Sequence, residues 1–473
     1  MSGFSRVLAL VSLTGCAAPA ASPPSSTWEI EQAGAAAPKP RTAKSKPAQQ
    51  RSSGATDKVV SETLALVSRV RGLPIRAPVV GKRMSREELH AEMVRMLAED
   101  AEPEVIQGNT EVLFALDLVP WDFDFQDTIV KLYANEIAGF YDSKKNSMVL
   151  AADLSKDAER ITLYHELVHA LQDQYSEISD AVGKREEEDS DAKAARHAVL
   201  EGDATSAMID VLAADRGLKP VRVTPEMLLA NSVITKGAAH LEGVPPVLKR
   251  SMLAPYVDGL GFVVALRDRG GYPAVDRALK ELPVSTEQIL HVEKFLAKEP
   301  VLALPAIPGA PGLGEVLFRD VIGEQALRIA FEDGMSARAA SAAASDWGGD
   351  RLAVFSAGEQ RAVRWHLVFD SEPAAWRAMD ALARLALRPE LGKASSKSEQ
   401  TLRTFTDART AELAVQSGRL CQLRPQRGPF ALVRRDRHIG VTLGPYLRTR
   451  SGVHSAGECS QALRWADELA HAR

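Results

Sequence analysis

The sequence predicts an α+β fold, in which a mainly helical region with a small β-hairpin is followed by a smaller α/β domain. Long alanine-rich apolar segments with capping residues at their starts dominate residues 57–298. A pair of short β-prone segments around a polar turn interrupts them. A proline-rich stretch at 298–313 separates them from residues 314–473, where strand-like and helical segments mix.

The N-terminal residues predict a lipid-anchored protein of the bacterial cell envelope. The apolar segment 7–13 is too short to span a bilayer. The residues Leu13-Thr14-Gly15-Cys16 end it and resemble the lipobox of bacterial lipoproteins. This resemblance implies a signal peptide over residues 1–15, acylation of Cys16 and, because Ala17 follows, the outer membrane. An uncleaved start is the alternative. Residues 16–56 are rich in Ala, Pro and Ser, and we expect a disordered tether.

Capping and turn residues predict the helices and strands at the start of the folded region. Ser85 and Glu88 have capping-box spacing and predict a helix. Residues 137–141 and 147–151 predict the two strands of the hairpin, and Ser155 is the expected N-cap of the helix that follows. Two more long helices are predicted at 194–213 and at 256–269, the second of them ending at Gly270-Gly271.

The helix after the hairpin contains His165-Glu166-Leu167-Val168-His169, a His-Glu-x-x-His pattern. Histidines four residues apart lie on one helical face and can offer two nitrogens to a single metal ion. Glu166 stands beside them, where it can accept a proton from a metal-bound water. The alternative is a helix whose two histidines serve only packing or solvation.

A catalytic zinc site needs a third protein ligand. Glu201, on the predicted helix 194–213, is our first candidate, because it resembles the third ligand of the gluzincins, a glutamate on a following helix. A surface helix residue is the alternative, and the apolar neighbours of Glu201 speak against it, because they indicate a buried helix where a lone carboxylate is costly. Asp203 is a rival, and Glu187 and Glu188 in an acidic segment are weaker ones. The extended histidine pattern of the metzincins is excluded, because Gln172 stands where that pattern has glycine.

The pair His165/His169 followed by Glu201 resembles the gluzincin branch of zinc metallopeptidases, the thermolysin-like group, and bacterial and archaeal proteins described as possible metallopeptidases. The resemblance implies a zincin-like domain over 57–298, one Zn²⁺ per chain and a protein or peptide substrate. It implies Glu166 as general base and makes His291 and Tyr256 candidates for stabilising the oxyanion. The further motifs of the resemblance are Gly139-Phe140-Tyr141-Asp142, Glu201-Gly202-Asp203-Ala204 and residues 285–291.

The resemblance leads to two specific expectations, one for the strand before the metal helix and one for the residues that orient the ligands. In zincins the strand before the metal helix is an edge along which extended substrate lies, and Gly139 would allow close approach of a peptide; a plain core hairpin is the alternative. Thermolysin-like enzymes carry an aspartate four residues after the ligand glutamate, and here that residue is Thr205. Asp203 or another residue must therefore orient the ligands.

The C-terminal domain, 314–473, contains Cys421 and Cys459, which we expect to form a disulfide in an envelope protein; two separate buried thiols are the alternative. The formal charge of −4 gives no reason to expect nucleic acid as a partner. The membrane is expected as a partner through the lipid anchor alone, and the sequence leaves the oligomeric state open.

The leading functional interpretation is an envelope-anchored zinc metallopeptidase. A binding or scaffold lipoprotein with a purely structural metal is a second interpretation, and the presence of Glu166 speaks against it, because a structural site needs no base. A zinc amidase that acts on cell-wall peptides is a third.

Overall fold

The computed structural model describes residues 53–100, 103–129, 137–176, 189–220, 222–230, 244–391 and 408–472. It confirms the α+β class, with a mainly helical region followed by a β-sheet domain. The predicted signal peptide, Cys16 and nearly all of the tether lie outside the described residues. Among the described helices, none is both long and apolar enough to cross a bilayer.

The helical region contains a three-stranded sheet. Its elements are α1 (Ser53–Arg71), β1 (Val80–Met84), α2 (Arg86–Asp100), α3 (Pro103–Ala115), β2 (Gly139–Asp142), β3 (Ser147–Ala151), α4 (Lys156–Ser176), α5 (Ser190–Asp215), α6 (Pro225–Ala230), α7 (Pro246–Lys280), α8 (Thr286–Leu290) and α9 (Val292–Leu296). Helix α1 begins before the predicted domain start at 57, and Thr56 within it is 2% exposed, so the tether ends earlier than we expected.

The predicted caps and hairpin are present. Ser85 and Glu88 form a reciprocal capping box, since each backbone N–H donates to the other's side chain at 2.7 and 3.2 Å. Ser155 Oγ accepts from Ala158 N at 3.2 Å, as a helix N-cap does. Strands β2 and β3 pair antiparallel, and β1 pairs with β3 in parallel, so the order β1-β3-β2 leaves β2 at the edge of this sheet.

Gly139 is required by the packing of its own sheet. A Cβ at this position would lie 2.4 Å from the Val149 carbonyl oxygen and 3.1 Å from Thr162 Cγ2. The glycine therefore allows β2 to pack against β3 and α4, while the approach of a peptide at this strand stays a prediction.

Helices α4, α5 and α7 form the body around the histidine motif. Gly202 on α5 faces Gly259 on α7, and a Cβ on Gly259 would lie 1.9 Å from the Ala198 carbonyl oxygen. The two backbones can approach this closely only because both positions are glycine. Helix α7 also begins ten residues before the predicted 256. Its backbone is non-helical at Gly270-Gly271, with Gly271 at φ 62°, and this point divides it into two helical segments, so the predicted end of the first segment is confirmed.

The C-terminal domain is one antiparallel sheet with helices on both faces. Its elements are β4 (Glu315–Asp320), α10 (Gly323–Glu332), α11 (Ala337–Ala344), β5 (Trp347–Ala357), β6 (Gln360–Phe369), α12 (Glu372–Ala386), α13 (Ala408–Ser417), β7 (Arg419–Arg424), β8 (Gly428–Arg435), β9 (His438–Thr449), β10 (Gly452–Ser455) and α14 (Cys459–His471). The strand order is β4-β5-β6-β9-β8-β7, and β10 pairs with β9. Alternate strand residues contact α12 on one face and α14 on the other. Cys421 and Cys459 form the predicted disulfide, which ties β7 to α14.

The two predicted domains share a hydrophobic core. A Cβ on Gly108 of α3 would meet the Phe318 ring of β4 at 2.2 Å. Arg427, fully buried, pairs with Asp117 at 2.9 Å and donates to the Phe114 carbonyl oxygen at 2.8 Å. Helix α3 therefore belongs by its packing to the C-terminal sheet, although its sequence lies within the predicted N-terminal domain.

Candidate metal centre

His165, His169 and Glu201 come together at one point. His165 Nε2 lies 3.0 Å from Glu201 Oε2 and 3.1 Å from His169 Nε2, and the third side of the triangle, from His169 Nε2 to Glu201 Oε2, is 3.5 Å. A tetrahedral zinc with bonds of about 2.0–2.1 Å requires its ligand atoms to be about 3.3 Å apart. The three side chains are at most 3% exposed. These residues therefore fit a zinc ion, and we call them the triad.

The triad is positioned by the packing of two helices. The two histidines lie one turn apart on α4, and Glu201 lies near the middle of α5, whose N-cap Asp189 accepts from Ala192 N at 2.9 Å. Leu167 and Ala170 of α4 share a buried cluster with Ala204 of α5. This packing contact turns the two histidines of α4 towards Glu201 of α5.

The charges of the triad are coupled. Burial alone would raise the pKa of Glu201, but the imidazoles of His169, His165 and His197 hold it well below its usual range. For His169, burial acts to lower the pKa, and the Glu201 carboxylate reverses this and raises it to about 9. Burial lowers the pKa of His165. The carboxylate of Glu201 is thus anionic, as a metal ligand must be.

Glu166 lies beside the triad as a buried carboxyl group. Its Oε2 accepts from the backbone N–H of Tyr141 at 3.1 Å, while its Oε1 has no hydrogen-bond partner within the described part of the chain. Burial raises the pKa of Glu166 to about 8. A cation on the triad would favour its ionised form. The backbone N–H of Tyr141, on edge strand β2, therefore holds Glu166, the expected base, in place. This N–H group is not available to a substrate.

Asp203 is not part of the triad. Its Oδ1 accepts from Arg71 Nε at 2.6 Å and its Oδ2 from Gln172 Nε2 at 2.9 Å. Gln172 Oε1 lies 2.8 Å from His169 Nδ1. The hydrogen bond that orients a metal-binding histidine is thus made by Gln172 rather than by a residue at position 205, and we had not predicted this role for Gln172. Its position three residues after His169, on the same helical face, was the signal available in the sequence. The other rivals, Glu187 and Glu188, lie outside the described residues.

The two oxyanion candidates differ in where they lie. The Tyr256 ring is 6.0 Å from the His165 ring, centroid to centroid, and its side chain is partly exposed. His291 Nε2 instead lies 2.9 Å from Glu324 Oε1 of α10, which raises the pKa of His291. The His291 ring is thus paired with a carboxylate of the C-terminal domain, and its role toward an oxyanion stays a prediction. His197 Nε2 lies 3.1 Å from Glu201 Oε1.

A second group of carboxylates does not resemble a metal site. Glu287, Glu299 and Asp370 lie close together, but Lys294 Nζ is 2.6, 2.8 and 2.5 Å from their oxygens. An ammonium group already donates to all three carboxylates, at the point where a metal ion would have to bind.

Comparison with known families adds one match. A family model described as a domain of unknown function, DUF8575, matches residues 314–453, which are most of the C-terminal domain. No curated protein and no solved structure matches the chain. The matched residues do not include the triad, so a function for the triad must be argued from its own geometry.

Proposed function

We propose that this protein is a zinc-dependent metallopeptidase that hydrolyses peptide bonds with Glu166 as general base. The observation that carries the proposal is the triad with its 3.0–3.5 Å separations, next to a buried carboxyl group that has one oxygen without a partner in the described residues. A metal held only for structure needs the ligands but has no use for such a group.

His165, His169 and Glu201 would hold the zinc ion. When bound, zinc polarises a carbonyl oxygen and makes a coordinated water acidic near neutral pH. Glu166 Oε1 would accept the proton of that water and pass it to the leaving amine. The Tyr256 hydroxyl is our candidate donor to the carbonyl oxygen of the substrate, because its ring lies 6.0 Å from the His165 ring, centroid to centroid, and is partly exposed.

The edge strand supports an extended peptide as substrate. Strand β2 is at the edge of its sheet and is connected to the site through the bond from Tyr141 N to Glu166. An added strand would pair with the outward backbone groups that Glu166 does not occupy. We further propose that the enzyme is anchored in the outer membrane of the bacterial envelope through a lipid on Cys16. Only the resemblance of residues 13–16 to a lipobox supports this location.

The test compares the zinc content and the proteolytic activity of the full chain with those of three variants. We expect one zinc per wild-type chain and cleavage of casein that a chelator abolishes. Glu166→Gln should retain zinc and lose at least about 10³-fold in kcat/KM, whereas Glu201→Gln should lose both. Glu104→Gln, at an exposed glutamate, is the matched control and should behave as the wild type.

Three results separate the alternatives. Zinc bound without cleavage of casein, but with release of peptides from cell-wall fragments, would identify an amidase. If the wild type and Glu166→Gln bound zinc equally and neither hydrolysed either substrate, the protein would be a binding or scaffold lipoprotein with a structural metal. Absence of zinc from the wild-type chain would refute the proposal.

A further inference from the structure

A buried hydrogen-bonded chain connects the first described helix to a metal ligand. It runs from Arg71 on α1 to Asp203 on α5, then to Gln172 on α4 and finally to His169, with donor–acceptor distances of 2.6, 2.9 and 2.8 Å. All four side chains are at most 3% exposed. We call these residues the Arg71 relay.

The relay determines which way the Gln172 amide points. Its Nε2 lies 2.9 Å from Asp203 Oδ2 and 3.1 Å from the Leu200 carbonyl oxygen. Both neighbours are acceptors only, so the NH₂ group must face them. The amide oxygen is consequently turned towards His169 Nδ1.

The amide oxygen in turn determines the tautomer of His169. An oxygen that only accepts requires a proton on His169 Nδ1, which leaves the lone pair of Nε2 directed at His165 and Glu201. We propose that Arg71, Asp203 and Gln172 are positioning residues that hold His169 in its metal-binding tautomer. This inference rests on the proposed function, because it assigns the relay to the same zinc site.

Arg71 itself is held in place from several sides. It donates from Nε to Asp203 and from its terminal nitrogen to Asp276 at 2.8 Å, and its guanidinium lies 4.4 Å from the centre of the Tyr272 ring. A planar guanidinium with two carboxylate partners fixes the orientation of Asp203 as well as its charge. Helix α1, which directly follows the predicted tether, is therefore part of the metal site and not a spacer.

The decisive variant is Asp203→Asn. Asparagine offers one oxygen where Arg71 and Gln172 both need an acceptor, so once Arg71 takes that oxygen the asparagine NH₂ faces Gln172. The Gln172 amide then faces one donor, the asparagine NH₂, and one acceptor, the Leu200 carbonyl oxygen. Turning over relieves the closer of the two contacts, which is 2.9 Å rather than 3.1 Å in the wild type, and presents the Gln172 NH₂ to His169, whose proton moves to Nε2. We expect zinc affinity, measured by chelator competition, to fall between about 10- and 100-fold.

A second readout does not depend on metal or activity. In metal-free, [¹⁵N]histidine-labelled protein kept above about pH 9, the pKa of His169, so that the ring is neutral, we expect the His169 signals, assigned by their loss in His169→Gln, to report Nδ1–H in the wild type and Nε2–H in Asp203→Asn. The double variant Asp203→Asn/Gln172→Glu restores an acceptor to His169 and should recover the wild-type tautomer and most of the affinity. Glu104→Gln, at an exposed glutamate outside the relay, is the control and should change neither.

The outcomes separate a positioning role from a merely structural one. An unchanged tautomer in Asp203→Asn would overturn the inference, as would a double variant that binds zinc no better than Asp203→Asn alone. If the wild type bound zinc without hydrolysis, the proposed function would fail while the tautomer and affinity measurements still tested the relay.

Discussion

The contact between α5 and α7 leads to the sharpest prediction, because it is made by two glycines. A Cβ on Gly259 would lie 1.9 Å from the Ala198 carbonyl oxygen, where an ordinary contact is at least 3.4 Å. In Gly259→Ala the helices must separate by about 1.5 Å, because the contacted atom is backbone and cannot rotate away. Overpacking costs about 3 kcal/mol and the better helix propensity of alanine returns about 1, so we expect a net loss of about 2 kcal/mol.

The assay has a matched control on the same helix. In Gly261→Ala the new Cβ would meet the Pro225 side chain at 3.2 Å, a contact that a small shift relieves. We expect Gly259→Ala to lower Tm by about 4–8 °C and Gly261→Ala to leave it unchanged or raise it by up to about 3 °C. Because Tyr256 lies one turn before Gly259, Gly259→Ala should also reduce peptide cleavage more than zinc binding. Equal Tm values for the two variants would refute the close-packing argument.

Three further predictions follow from other parts of the structure. Replacing Cys421 and Cys459 by serine should cost about 4 kcal/mol by chain entropy, because 38 residues separate them, and chemical denaturation should show the loss. Burial raises the pKa of Asp320 to about 6, so its protonated form stabilises the fold; this stabilisation is complete below about pH 4 and is lost as the pH rises through about 6. Asp320→Asn should therefore weaken the fall in Tm between pH 4 and 7, and an unchanged slope would contradict the assignment. Tyr256→Phe should lower kcat by about 10²-fold, whereas His291→Ala should change it less than about twofold, since its partner is a carboxylate of α10; the reverse order would show that His291 reaches the substrate.

Local patterns predicted the parts of the site that local geometry determines. The i, i+4 spacing of His165 and His169 was sufficient to direct both Nε2 atoms to one point, because helix geometry requires it. The preference for Glu201 over Asp203 came from the resemblance to the gluzincins, whose third ligand is a glutamate on a following helix, and the cost of burying a lone carboxylate spoke against a surface role for Glu201. The structure gives each of the two buried carboxylates cationic or imidazole partners, but only Glu201 has the histidines.

Tertiary packing determines the rest, and local patterns carry little sign of it. Gly202 and Gly259 are far apart in the chain, so neither segment indicates that the two backbones touch. In the sequence Gln172 is only a departure from the metzincin pattern, whereas in the structure its amide lies between His169 and Asp203. The glycine pair Gly270-Gly271, by contrast, does mark the end of a helical segment, although a second segment follows it directly.

The C-terminal domain contacts the helix on which Glu201 lies. Two of its tryptophans, Trp347 and Trp365, are at most 1% exposed and donate their indole N–H groups to buried Asp350, whereas Trp376 is 47% exposed. Asp350 also accepts from the backbone of α10's first turn, while Asp320 accepts from Ser190 N at 2.8 Å, at the start of α5. Since Glu201 lies three turns further along α5, a contact of the C-terminal domain holds the start of the helix that positions this carboxylate.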